Sequence, residues 1–250
     1  MFIRTIFWGL IASFVAAGAA QAQDPHRPAV GGVGSPVDAM IFYFAKGPPG
    51  ACGEGCSEWI AAEGAVQFDT HKRLINILDR QEGRKLPLVI NARGESNLNV
   101  AASLGRILRE RGIDTIAGPT ELKACRGIPE SECFTLKRLG GPLIGVADLT
   151  AARCGLGCLL ILAGGVHRNL SPDTKVVVSG RFIANRLAPN VSDERREGLT
   201  SLYGEQLRVY LRDMGVDTEL LDIVDRNSEL RRVTELPPSD WRRLKLVNTP

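Results

Sequence analysis

Six cysteines and three histidines are the residues of this 250-residue chain best equipped for chemistry. The cysteines fall as three close pairs: Cys52 and Cys56, Cys125 and Cys133, Cys154 and Cys158. Two thiolates at x3 spacing are half of a metal site. No histidine stands near either x3 pair at the spacing a zinc centre needs, so no metal is expected. In an oxidising compartment close cysteines form disulfides instead. Cys52 with Cys56 and Cys125 with Cys133 each enclose a short polar loop containing glycine. There two Cα atoms can approach within the ~4.4–6.8 Å that a bridge requires. Cys154 and Cys158 belong on or beside one helical turn, about 6 Å apart, which favours a strained or absent bond. Cys154 has Cys125 or Cys133 as its other choices. The sequence leaves the connectivity open, with at least two bridges expected. Of the histidines, His26 lies in a Pro/Gly-rich spacer, His71 near a helix start and His167 just after Ala163-Gly164-Gly165. A lone histidine at a turn is a solvated surface residue far more often than a base.

The N-terminus argues for that compartment. Arg4 precedes an apolar stretch from Ile6 to Ala20, and Ala20-Gln21-Ala22 fits a small-x-small cleavage site, so residues 1–22 read as a secretory signal peptide. The run is short for a span of ~20 residues. An uncleaved signal would make the protein membrane-anchored; cleavage would make it periplasmic or secreted, with no stable membrane span left. Residues 23–38 read as a flexible linker, and 39–250 as one α/β domain.

Within that domain, Ala39 to Ala45 and Glu58 to Val66 have the content of strands. A helical pattern from Asp69-Thr70 carries Leu74, Ile75 and Leu78 and ends near Gly83. Pro87 to Asn91 is a compact strand, Leu98 to Arg111 a helix stopped by Gly112, and Ile113 to Ala117 a further strand. Strand, helix, strand, helix, strand with short connections is the order of parallel crossover units. Residues 118–150 read as irregular. Cys154 to Leu162 is an apolar run and Lys175 to Val178 a strand. Ser192 is expected to cap a helix reaching Met214, burying Leu199, Leu202, Tyr203, Gln206, Val209 and Tyr210. Thr218 to Val224 and Ser239 to Leu244 supply shorter helices. A formal net charge of +3 with no aromatic-basic stripe gives no sign of a nucleic-acid partner. A Rossmann-type nucleotide site is excluded too, since Gly32 to Gly34 follows no strand.

Four stretches in order carry a family resemblance. They are Cys52-Gly-Glu-Gly-Cys56, then Pro87 to Ser96 with the helix residues Ala101, Leu104, Gly105, Ile107 and Arg109. Cys154-Gly-Leu-Gly-Cys158 with Ala163-Gly164-Gly165 follows, and then Tyr210 to Val247. They resemble the ClpP/crotonase-like superfamily, in particular the periplasmic Clp-protease-like branch, over roughly residues 39–248. The resemblance implies stacked strand-strand-helix units, a trimer or hexamer, and a groove for a peptide or protein partner. No cofactor is expected, because an exported compartment is a poor place for coenzyme A.

The same resemblance implies that the peptidase chemistry is lost. Its nucleophilic serine, set at a helix N-terminus, corresponds to Leu156, which has no proton to lose. Its histidine corresponds to Ser179 or Gly180, within Val176 to Phe182. Its two-glycine oxyanion turn corresponds to Arg93, Gly94 and Glu95, where one glycine remains and Glu95 would oppose an oxyanion if it pointed inward. Without nucleophile and base the acyl-enzyme route fails. The displaced candidates are Ser96 paired with His167, and Cys154 or Cys158 as a thiol beside the lost serine. The expected function is therefore a non-catalytic envelope protein that binds a peptide or protein, with a hydrolase using a relocated serine or cysteine as the alternative.

Overall fold

Parallel pairing of alternating strands and helices dominates the first half of the chain. The computed structural model describes residues 38–180 and 193–249. The expected signal peptide, all of the expected linker except Asp38, and Arg181, Phe182 and Ser192 lie outside these residues. Strands β1 (Ile41–Lys46) and β2 (Glu58–Gly64) form an antiparallel pair, followed by α1 (Thr70–Asp79), β3 (Leu88–Ala92), α2 (Leu98–Arg111) and β4 (Thr115–Ala117). β2, β3 and β4 are parallel neighbours, with Ile60 opposite Leu88 and Leu88 opposite Thr115. These elements follow the expected ones closely, since each is bounded by local chemistry. The Asn97 side chain accepts from the Val100 amide at 3.1 Å and starts α2, and Gly112, at φ 67°, ends it.

Both faces of these strands are covered, as buried parallel strands require. Phe42, Ile60, Ala62, Leu88 and Ile90 point to the main core, packed with α1 and α2. The alternate residues Ile41, Tyr43, Trp59, Ala61 and Val89 form a second core on the opposite face. Each fully buried Leu or Ile side chain contributes about 1.5–3 kcal/mol.

Residues 118–150 are not irregular. They hold β5 (Thr120–Leu122), a 3-10 turn at Lys123–Cys125, α3 (Glu130–Arg138) and β6 (Leu143–Ala147). β6 runs parallel to β1 and pairs antiparallel with β5, which extends the sheet to the order β5-β6-β1-β2-β3-β4-β8, with β8 at Arg168–Asn169. The sequence does carry a signal for β6, which the irregular reading misses: Leu143-Ile144-Gly145-Val146-Ala147 is a short apolar run after Gly140-Gly141-Pro142, although in the fold only Gly145 of it is buried. A second sheet, ordered β10-β9-β7, joins β7 (Arg153–Cys154), β9 (Lys175–Ser179) and β10 (Val233–Leu236).

The turn leading from β6 to β7 is organised by Asp148. Its Oδ1 accepts from the Thr150 hydroxyl (2.7 Å), the Thr150 amide (3.0 Å) and the Ala151 amide (3.2 Å). These bonds, the Thr150 hydroxyl first, hold the Asp148 carboxyl below its ordinary pKa against the opposing effect of burial. A lowered folded pKa makes this contribution to stability complete above the ordinary aspartate value and lost as pH falls through the lowered one. NMR titration should place the Asp148 midpoint below that of an unstructured aspartate, and Asp148→Asn should remove this slice of the acid dependence. An ordinary midpoint would refute it.

Helix α4 (Leu156–Ala163) is almost wholly buried, and α5 (Asp193–Met214), α6 (Glu219–Leu230) and α7 (Pro238–Arg243) complete the fold. On α5 the expected inner face holds at Tyr210, which is buried, and in part at half-buried Tyr203. Leu202, Gln206 and Val209 are exposed, and Leu207, Leu211 and Met214 are buried in their place; the Leu199 side chain lies outside the described residues. The shift follows from Tyr210, whose hydroxyl donates to the Leu160 carbonyl at 2.6 Å and fixes the rotation of α5 on α4. Arg208, half a turn away, is held toward α6 by Asp222 and Asp225.

All six cysteines pair with their near neighbours, each pair at a Cα separation of 5.1 Å. Cys154 therefore joins Cys158, not Cys125 or Cys133. The reason is local: Cys154 lies in β7, not on the helix, and extended Gly155 turns the chain before α4 begins, so the two residues are not an i,i+4 helical pair.

Candidate functional site

The carboxyl ends of β2 and β3 lie side by side, with Gly64 opposite Ala92, and α1 and α2 begin just beyond them. Ligands of open α/β sheets bind at this end of the strands. α4 begins there as well. A Cβ placed on Gly157 would stand 2.5 Å from Ser96 Cβ and 2.7 Å from Ser96 Oγ, so the residue preceding the α2 cap touches the first turn of α4. The helices continue together: Arg109, near the end of α2, donates to the carbonyls of Ala163, Gly164 and Gly165 at the end of α4. α2 and α4 are thus parallel, and their partly positive N-termini share one end.

Leu156 is the first residue of α4, half-buried against the main core, and follows extended Gly155. No side chain caps this helix. Beside it runs β9, whose Val177 carbonyl lies 3.6 Å from a Cβ position on Gly155. Ser179, two residues farther along β9, is exposed. Gly180 is pressed against Ser228 of α6, where a Cβ would meet the Ser228 backbone at 2.4 Å. Neither position holds an imidazole.

The turn after β3 has Gly94 at φ 65°, a left-handed conformation suited to glycine. The Arg93 amide is used by the Gly64 carbonyl and the Asn97 amide by that of Val66. Among the described residues the amides of Gly94, Glu95 and Ser96 have no acceptor. Glu95 is exposed and makes no hydrogen bond or ion pair among the described residues. With the Asn91 side-chain amide turned to present its oxygen, the Arg93 guanidinium donates to it at 3.1 Å from Nε and 2.9 Å from Nη2; it sits 4.0 Å from Glu130. Free turn amides, the bare first turn of α4 and the Ser96 hydroxyl can together hold a carbonyl or carboxylate oxygen.

Ser96 and His167 are not brought together. Ser96 lies at the start of α4, and His167 lies past its end, across about 12 Å of helix rise. His167 is instead engaged with Asp114, which accepts from both the His167 amide (3.0 Å) and its Nδ1–H (2.9 Å) at the exposed amino end of β4. His71 Nδ1–H donates to the Phe68 carbonyl at 3.0 Å. Cys154 and Cys158 are bonded to each other and buried, which leaves no thiol beside Leu156. No group of three or more metal-ligating side chains occurs among the described residues. The contact of Ser96 with α4 escaped sequence reasoning, because only the parallel packing of two helices distant in the chain creates it.

No protein-family model matches the chain, and no curated protein matches it. Among solved structures, the chain is similar to a mutant of the 1510-N membrane-bound stomatin-specific protease, with 11% identity, a TM-score of 0.43, and coverage of 74% of this chain and 73% of that one. At that level the likeness carries neither family membership nor chemistry to this chain. What stands on its own geometry is an α/β protein stapled by three disulfides, with a helix-end site at the carboxyl edge of its parallel strands.

Proposed function

We propose that this is an exported envelope protein of ClpP-like fold that binds a peptide or protein partner without cleaving it. The observation that carries the reading is Leu156 at the first position of α4, where a Clp-type peptidase needs its serine. The amides of residues 94–96, without an acceptor among the described residues, are available to a backbone carbonyl or terminal carboxylate of a bound chain. Export is supported by the signal-like residues 1–22 and by three disulfides with no free cysteine among the described residues. No helix among the described residues is long and apolar enough to cross a membrane. Assembly into a trimer or hexamer belongs to the same proposal.

A hydrolase with a relocated nucleophile is favoured by one observation, the seating of the Ser96 hydroxyl against the first turn of α4. The two readings separate on protein purified from the periplasm, whose intact mass should lack residues 1–22. Treated with a serine-directed fluorophosphonate and with iodoacetamide, it should remain unlabelled while a native-envelope pull-down retains its partner. Stoichiometric labelling at Ser96, blocked by peptides and abolished by Ser96→Ala, would overturn the non-catalytic reading.

A further inference from the structure

The three disulfides differ in what they hold. Cys154 and Cys158 are both buried; Cys52 is fully buried in the second core, which also holds Trp59, while its partner Cys56 is half-buried. Cys125 and Cys133 are both only half-buried. They also close the segment with the least burial in the fold: from Lys123 through Leu139 no residue is buried, and α3 contributes none. Leu139 at its end is 74% exposed.

Beneath this segment lies an aromatic and acidic face. Tyr43 and Trp59 are fully buried, and Glu63, on the same face of β2, is nearly so. The Tyr43 hydroxyl is buried without a hydrogen-bond partner among the described residues, while Trp59 Nε1 donates to the Thr120 hydroxyl at 3.0 Å. α3 reaches this face through few side chains. Lys137 donates to Glu63 and stands 5.5 Å from the centre of the Tyr43 ring, and Phe134 packs partly on the second core next to Cys125. Glu130, at the head of α3, faces Arg93 of the site turn.

We infer that Cys125–Cys133 is a redox-labile clip and that its reduction releases α3 as a strap, uncovering the Tyr43–Trp59–Glu63 face. The inference does not depend on whether the site at α4 is catalytic. A small dithiol is the co-reactant. One of its thiolates attacks an accessible sulfur of the pair, the Cys125–Cys133 bond breaks, and the departing thiolate takes up a proton. The second thiol of the reductant then resolves the mixed disulfide. The reductant leaves as a disulfide, and the protein holds two thiols. Rate follows access, so this pair, half-buried at both cysteines, reacts before Cys52–Cys56, which is half-buried only at Cys56, and before Cys154–Cys158, which is buried at both.

The experiment uses the full folded chain with limiting dithiothreitol, iodoacetamide quenching and peptide mapping. Cys125 and Cys133 should be alkylated at least about tenfold faster than the other four cysteines. Hydrogen exchange on the singly reduced protein should then quicken about tenfold or more across Glu130–Arg138, with α2 and α4 unchanged. The double variant Cys125→Ser/Cys133→Ser should reproduce that exchange without reductant. Earlier reduction of Cys52–Cys56 or Cys154–Cys158 would overturn the inference. Unchanged exchange in Glu130–Arg138 after the clip is opened would do the same.

Discussion

Gly105→Ala should lower the stability of the protein by about 3 kcal/mol or more, because one methyl group has nowhere to go. A Cβ at residue 105 would lie 1.8 Å from the Tyr210 hydroxyl oxygen and 2.9 Å from the Leu160 carbonyl oxygen. Neither neighbour is the end of a flexible chain. Leu160 is backbone of a buried helix, and Tyr210 is a rigid, fully buried ring whose hydroxyl donates to that same carbonyl at 2.6 Å. On the other side of the crossing, Gly164 lies so close to Gly105 that its own Cβ would stand 2.1 Å from the Gly105 carbonyl oxygen. α2, α4 and α5 thus meet where two helices carry only hydrogen. The substitution must expel Tyr210 or part α2 from α4, losing a buried hydrogen bond and opening the main core. Urea denaturation of the purified domain measures the loss. Tyr210→Phe removes the atom in closest conflict, so Gly105→Ala should cost less in that background. Equal costs in both backgrounds would place the conflict elsewhere.

A loss of similar size, about 3 kcal/mol or more, is expected from Arg168→Met. Arg168 is 4% exposed and has no carboxylate partner among its hydrogen bonds; it donates instead to three carbonyls. Nη1 reaches Met214 at the end of α5 (3.1 Å), Nη2 reaches Lys245 (3.1 Å) and Nε reaches Leu246 (3.3 Å). Burial, and then the neighbouring Arg109, lower the pKa of this guanidinium from its ordinary value, yet it stays charged at neutral pH. Its charge sits at the partly negative end of α5, which offsets part of the desolvation cost. Methionine fills most of the volume but removes three donors at once: the Met214 carbonyl keeps only the longer bond from Arg109 Nη2 (3.4 Å), and the Lys245 and Leu246 carbonyls lose the guanidinium. The C-terminal segment should loosen first, visible as faster hydrogen exchange from Trp241 to Asn248. Arg168→Lys, which keeps a charge but only one donor centre, should fall between wild type and Arg168→Met. A variant with wild-type stability and unchanged exchange would show that water replaces the guanidinium without cost.

Both effects also explain residues that sequence reading could only match to a pattern. Gly105 and Arg109 stood out as parts of a helical motif. In the fold Gly105 makes room for Tyr210, and Arg109 caps the carbonyl end of α4 through Ala163, Gly164 and Gly165. The motif describes how α2 and α4 dock in parallel, and that docking brings Ser96 to the start of α4.

From β1 through β4 the elements were legible in the amino-acid order alone, because each is set by near neighbours. Asn97 caps α2 and Gly112 stops it, while period-two alternation in Phe42, Tyr43 and Ala45 or Trp59, Ile60 and Ala61 divides two cores. That Cys52 and Cys56, and Cys125 and Cys133, lie close enough to bridge was legible for the same reason, while the connectivity itself was left open. Tertiary structure decided everything that depends on contacts between distant segments. It rotated α5 so that Leu207 and Leu211 join the expected Tyr210 in facing inward and Val209 does not, since the hydrogen bond from Tyr210 to Leu160 outweighs the weak amphipathic pattern of that helix. It set Cys154 in a strand, where sequence spacing alone suggested a helical turn. It also separated Ser96 from His167 by the length of α4, because helix direction follows from packing across the sheet and not from residue type.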